Sequence, residues 1–201
     1  MKEKEKISSK RRILDAAEEQ FALCGFEGTT TRSISRNSGL NLSLIKYYFG
    51  SKNGLYESVI QSRIEDFQST YTKFLLSKKK PDLNVFLTHY ISWFSENGNF
   101  FRLVNREFCS PSDNEVKKLV SAAVLNHFLQ MKTLIDTTSS SGQVNNTATV
   151  FLYLTIFGLL QAYVETSPVY TLASALQTDG KHDLEKIKEY LFALTKHTLI
   201  Q

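Results

Sequence analysis

Between residues 7 and 24 the apolar side chains Ile13, Ala17 and Phe21 recur every four positions, with Leu14 alongside. That spacing makes one apolar stripe on a helix. Gly25 predicts a stop, and Phe26 can fold back on the last turn. The triplet "TTT" then supplies a cap near Thr30 for a short helix through Ile34 to Ser38. Gly39 turns the chain, and Asn41 caps a second short helix that ends at Phe49 and is stopped by Gly50. Ser51 caps a longer helix from about Lys52 to Leu76. Two short helices joined by a glycine turn, after a longer supporting helix, make a helix-turn-helix.

Beyond this unit, breaks fall at 77–82, 96–99, 110–114, 137–146 and around Ser167 and Pro168, with helices near 82–96, 99–108, 114–136, 145–165 and 183–199 between them. The expected fold class is all-α. An N-terminal three-helix domain, residues 1–54, is joined by a long helix to a C-terminal helical domain, residues 55–201. The apolar run 148–164 falls just short of a membrane span and contains Thr149, Thr155 and Gln161, so it reads as a core helix and no membrane partner is expected. The triple lysine at 78–80 reads as a solvated loop.

Ile34, Leu40, Ile45 and Phe49 can form the small core of the helix-turn-helix. Leu42, Ser43, Leu44, Lys46, Tyr47 and Tyr48 are then left to face outward. Such a helix fits the DNA major groove, with its N-terminal residues at base edges and its hydroxyl and ammonium groups on phosphates. Lys52 adds a charge beside a helix N-terminus that itself favours phosphate. The charge distribution agrees. Residues 1–56 hold ten Lys/Arg and six Asp/Glu, whereas residues 57–201 hold fourteen of each, so the whole excess of +4 lies in the N-terminal quarter. A basic segment on a neutral body suggests a polyanionic partner for that segment.

The stretch "FALCGFEGTTTRSISRNSGLNLSLIKYYFGSKNGLY" resembles the DNA-binding domain of the tetracycline-repressor (TetR) family of bacterial regulators. That family's pattern is F-x-x-x-G-[YF], T-T-x-x-x-I-[AS], A-G-V-S and L-Y-x-H-F-x-x-K-x-x-L. The resemblance implies that Thr31, Tyr47, Tyr48 and Lys52 meet phosphates, that Ser43 and Leu44 lie near base-reading positions, and that Arg32, Asn41 and Lys46 belong to the same surface. Ser43 and Leu44 stand where Gly and Thr are common, and Lys46 where Tyr or Asn is usual. These departures bear on which operator sequence is read. The resemblance further implies a cytoplasmic homodimeric repressor on a palindromic double-stranded DNA operator, released by a small effector and using no cofactor.

Two features of the C-terminal region bear on that picture. The helix at 145–165 is apolar nearly all round and needs cover on more than one face. The last helix repeats Leu184, Ile187, Leu191, Leu194 and Thr198 at steps of three and four. With Tyr153, these predict a dimer seam in which two helices from each chain form a four-helix bundle. Large aromatics share helix faces with a few polar groups: Tyr71, His89, Tyr90, Trp93, Asn105, His127, Phe128, Phe157 and Gln161. A mainly apolar cavity with a few polar groups is the usual form of a small-molecule site. A hydrophobic effector, aromatic or acyl, is expected between the helices near 82–96, 114–136 and 145–165.

Catalysis is the rival class. No G-x-S-x-G, Walker A or dinucleotide fingerprint occurs. His89, His127, His182 and His197 show no metal-ligand spacing with one another or with Cys24 and Cys109, so no metal is expected. Glu107 with Arg102 and Arg106 reads as a surface ion pair rather than an acid–base site. An architectural DNA-binding protein without a ligand and a helical small-molecule-binding protein are the remaining alternatives.

Overall fold

The computed structural model describes residues 2–76, 82–138, 145–164 and 184–200. Within them the chain is all-α: α1 Lys2–Gly28, α2 Thr31–Ser38, α3 Leu42–Phe49, α4 Lys52–Leu76, α5 Leu83–Glu96, α6 Gly98–Cys109, α7 Glu115–Thr138, α8 Asn146–Val164 and α9 Leu184–Ile200. The triple lysine, the 77–82 and 137–146 breaks in their larger part, the Ser167–Pro168 break and His182 lie outside the described residues, as do the side chains of Leu184, His197 and Thr198.

Two compact units form. The first holds Met1–Thr70 and Arg102–Ser121, the second Tyr71–Phe101 and Ala122–Gln201. This division differs from the expected one at 54/55. The first turns of α4 bury Leu55, Tyr56, Val59, Ile60 and Ile64, so most of that helix belongs to the first unit.

In the first unit the stripe of α1 is buried at Ile13, Ala17 and Phe21, and the core continues through Ile34, Ile45 and Phe49. Leu40, expected in that core, is half-buried. At Gly25 the backbone of α1 leaves helical geometry (φ 73°, ψ 172°), a conformation that glycine adopts at little cost. Phe26 turns back and stacks on Phe21, 5.9 Å between centroids, with Tyr56 edge-on to Phe21 at 4.8 Å. Arg63 of α4 donates to buried Glu18 and to Asp15, while Arg11 spans Asp15 and Asp66. These ion pairs lash α4 to α1.

In the second unit α5, α8 and α9 pack around Leu87, Tyr90, Ile91, Phe94, Leu152, Ile156, Leu160, Ile187 and Leu191. The nearly all-apolar α8 divides its surface. Leu152, Tyr153, Ile156 and Leu160 are buried, whereas Val150, Phe151 and Leu154 are exposed by 39%, 64% and 55%.

Candidate nucleic-acid interface and effector region

The helix-turn-helix is built by short-range rules. Thr30 and Ser33 form a reciprocal capping box at the start of α2: the Ser33 N–H donates to Thr30 Oγ1 at 3.0 Å and the Thr30 N–H to Ser33 Oγ at 3.3 Å. Gly39, at φ 63°, ends α2 in the left-handed region and lets the Leu40 N–H reach the Ser35 carbonyl at 3.2 Å. Asn41 Oδ1 then accepts from the Ser43 N–H at 2.9 Å and starts α3. Arg12 of α1 donates to the Ser38 carbonyl at 2.7 Å and Asn37 to Glu19 at 2.9 Å, so α1 grips the turn.

The face of α3 is set by the burial of Ile45 and Phe49. Asn41, Ser43, Lys46 and Tyr47 are exposed, Tyr47 by 70%, while Leu44 and Tyr48 are half-buried. Tyr48 lies edge-on to both Tyr47, at 5.1 Å, and Phe49, at 6.0 Å. Thr31 is half-buried and Arg32 exposed at the start of α2. Arg32, Arg36 and Lys46 pair with no carboxylate among the described residues. From Gly28 to Tyr56 the sequence contains four cations and no Asp or Glu. That acid-free window is a signal the sequence reading passed over. So is Arg36, exposed four residues after Arg32 on the same outward face of α2.

Lys52 corrects an expectation. Its Nζ donates to the Phe26 carbonyl at 2.9 Å and the Thr29 carbonyl at 3.1 Å, and lies 4.2 Å from the centre of the Phe26 ring. The break at Gly25 turns these carbonyls toward α4, and the ammonium is held there rather than presented outward to phosphate. Glu107 is a second correction. It is buried rather than part of a surface pair, and Oε1 accepts from the Tyr56 hydroxyl at 2.7 Å. Burial, then the neighbouring carboxylate, push the Tyr56 hydroxyl above its usual range.

The expected effector residues gather only in part. Tyr90 stacks on His127 at 4.9 Å, and the His127 Nδ1 lies 3.1 Å from the Tyr153 hydroxyl. Phe128 and Phe157 pack against Tyr153 at 5.3 and 6.2 Å. The Tyr71 hydroxyl donates to the Gln130 carbonyl at 2.9 Å, and its ring meets Phe86. Trp93 packs edge-on to Phe100 and Phe101, and Gln161 is half-buried on α8. His89 is exposed, with its ring 5.7 Å from Phe74, and Asn105 belongs to the first unit. Neither joins this cluster. Burial lowers the pKa of His127 to about 4, so the imidazole is neutral at pH 7. A cleft of about 470 Å³ lies elsewhere, in the first unit, lined by Lys10, Leu14, Glu57, Gln61, Glu65, Glu115 and neighbours. None of the expected effector residues lines it.

The predicted dimer seam is largely spent inside the chain. Tyr153, Ile187 and Leu191 are buried within the second unit, and Leu194 is half-buried. The steps of three and four mark a packed face, but that face packs on α5 and α8 of the same chain. Among the described residues, the large apolar side chains left outward on α8 and α9 are Val150, Phe151, Leu154 and Tyr190.

Residues 13–59 match the family model described as "Bacterial regulatory proteins, tetR family". YttP of Bacillus subtilis (strain 168), named as a "Probable HTH-type transcriptional regulator", is 35% identical over 65 residues, covering 32% of this chain and 31% of that protein. The match thus spans about a third of its curated relative. The fold of nearly the whole chain is shared with solved structures. A TetR-family transcriptional regulator from Bordetella parapertussis 12822 has a TM-score of 0.70 at 14% identity, over 92% of this chain and 93% of that one. The regulator FadR from Bacillus subtilis, solved in complex with stearoyl-CoA, has a TM-score of 0.64 at 18% identity, over 92% and 96%.

Proposed function

We propose that this chain, whose residues 13–59 match the tetR family of bacterial regulators, is a DNA-binding transcriptional regulator and acts as a cytoplasmic homodimeric repressor. Its operator is an inverted repeat, and a small hydrophobic effector releases it. The observation that carries the DNA side is the acid-free window from Gly28 to Tyr56, with exposed Arg32, Arg36, Lys46 and Tyr47 on two short helices of the expected geometry. Ser43 and Leu44, at the N-terminal end of α3, read bases; the cations and Tyr47 hold phosphates. A two-fold dimer presents two such helices, hence an inverted repeat with one half-site per subunit. The exposed Val150, Phe151 and Leu154 of α8, with Tyr190 of α9, supply the self-complementary apolar face.

The effector reading rests on the aromatic cluster around Tyr90, His127 and Tyr153 and on the likeness in fold to a regulator that holds stearoyl-CoA. A long-chain acyl compound is therefore the first class to try. Such a compound weakens operator binding only as far as it prefers the form that cannot bind DNA. A hundredfold loss needs about 2.7 kcal/mol of coupling, and operator must weaken effector binding by the same factor.

The test begins with selection of duplexes from a random library, followed by titration at several salt concentrations. Substitution of Ser43 or Leu44 should change which duplexes are preferred, by about 1–3 kcal/mol per disturbed base pair. Lys46→Ala should weaken all duplexes about equally and reduce the salt slope by roughly one. Recovery of no preferred duplex sinks the proposal. Trp93 is the sole tryptophan, so its quenching by acyl compounds, repeated with operator present, reads the coupling directly. An acyl compound bound equally well in both titrations is not the inducer.

A further inference from the structure

Arg106 and Glu107 are neighbours near the end of α6, far along the chain from the segment that carries the helix-turn-helix, yet they pack in the same unit. Arg106 Nη1 donates to the Phe21 carbonyl at 2.6 Å and lies 3.3 Å from where a Cβ on Gly25 would stand. Glu107 Oε1 accepts from the Tyr56 hydroxyl at 2.7 Å. The other carboxylate oxygen, Oε2, is buried and has no hydrogen-bond partner among the described residues. Tyr56 is therefore the donor on which this buried group depends.

The two contacts fall at the two ends of one stretch of chain. Upstream, the break at Gly25 leads into Thr29, whose hydroxyl donates to the Gln20 and Gly25 carbonyls, and then into the cap of α2. Downstream, α3 ends at Phe49 and the chain enters α4, which carries Tyr56. The helices α2 and α3 are the segment between these anchors. The aromatic cluster of Phe21, Phe26 and Tyr56, with centroids 4.8–5.9 Å apart, joins the anchors to each other. Adjacent residues of one helix thus hold both ends of the recognition unit.

We infer that Arg106 and Glu107 are positioning residues for DNA binding: through the Phe21 carbonyl and the Tyr56 hydroxyl they fix the angle at which α2 and α3 leave their supporting helices. Neither needs to touch DNA. Their effect is preorganisation, which sets affinity by removing the cost of ordering on binding. The inference rests on the DNA-binding reading proposed above.

The test uses the full-length protein and one duplex recovered by selection on the wild-type chain, at a temperature well below each variant's melting point. Tyr56→Phe strips the buried carboxylate of its donor, and the folded protein should bind about tenfold more weakly with an unchanged salt slope. Glu107→Gln keeps an oxygen for Tyr56 to donate to, and should bind within about twofold of wild type. The double variant Tyr56→Phe/Glu107→Leu replaces both polar partners by apolar ones and should recover most of the loss. If Tyr56→Phe does not fold, Arg106→Gln serves, with the same loss at constant slope expected. A folded Tyr56→Phe or Arg106→Gln variant that binds as wild type, or that loses salt slope with affinity, overturns the positioning role, since a residue that acts on stability alone lowers the melting point and leaves the affinity of the folded protein unchanged. So does a double variant no better than Tyr56→Phe alone, because the loss then does not come from the unpaired carboxylate. Failure of the wild-type chain to select any duplex is a separate result and overturns the DNA-binding reading beneath it.

Discussion

Lys52→Met separates two roles for one lysine. The substitution keeps an unbranched stem of similar reach and deletes the ammonium. In the structure that ammonium makes two hydrogen bonds to carbonyls, at 2.9 and 3.1 Å, and sits 4.2 Å from the Phe26 ring centre. A hydrogen bond to a charged group contributes about 1.5–3 kcal/mol, and an exposed or half-exposed cation–π contact about 0.5–1 kcal/mol. Lys52 is only half-buried, so water recovers part of the loss. We expect a net cost of about 2 kcal/mol, near the lower bound of one such bond plus the ring contact. For a chain of this size that lowers the melting temperature by roughly 4–8 °C, provided unfolding is cooperative. The assay pairs thermal unfolding, followed by far-UV circular dichroism, with operator titrations from low to moderate salt. If Lys52 holds the break in α1, the melting point drops and the slope of log affinity against log salt stays as in wild type. If Lys52 instead neutralises a phosphate, the slope falls by about 0.9 while stability barely moves. The second result would refute the reasoning.

Three further outcomes follow. Burial holds His127 neutral, with its pKa lowered from 6.5 to about 4; the unfolded chain takes up a proton below about pH 6.5 and the folded chain does not until about pH 4, so stability should be full above that window and decline as pH falls through it, by on the order of 3 kcal/mol. His127→Gln should remove that part of the slope in denaturant titrations across pH, and an identical slope in both proteins would show that His127 does not titrate this way. Phe151→Glu, on the exposed face of α8, should give a folded monomer in sedimentation and lose the cooperative binding of two half-sites, whereas Leu191→Glu buries a carboxylate and should unfold the chain; a Phe151→Glu protein that remains dimeric would place the interface elsewhere. Arg63→Met should destabilise the protein by about 3–5 kcal/mol, because Glu18, only 5% exposed, then loses its guanidinium; chemical denaturation reads this directly, and a loss under about 1 kcal/mol would show that Glu18 relaxes to solvent.

Most of the recognition unit was legible in the sequence because local rules build it. Thr30, Gly39, Asn41 and Gly50 punctuate α2 and α3 through bonds spanning five residues or fewer, and the four-residue repeat of Ile13, Ala17 and Phe21 names the buried stripe of α1. The outward face of α3 followed from the burial of Ile45 and Phe49. Helix boundaries in the C-terminal region were legible for the same reason.

What a side chain meets across the fold was not. A lysine at a helix N-terminus looks alike whether it awaits a phosphate or holds a carbonyl; only the path of α1 beyond Gly25 put the Phe26 and Thr29 carbonyls within reach of Lys52. The spacing of Ile187 and Leu191 identified a packed seam, and spacing carries no information on whether the facing helix comes from the same chain. Glu107 beside Arg106 had the pattern of a surface pair, and a bond spanning 51 residues buried it on Tyr56. Periodicity and capping are properties of neighbours along the chain, so the sequence determined the helices, their ends and their apolar faces. The partner of each face, and of each buried charge, is a property of neighbours in space, and the tertiary structure alone decided it.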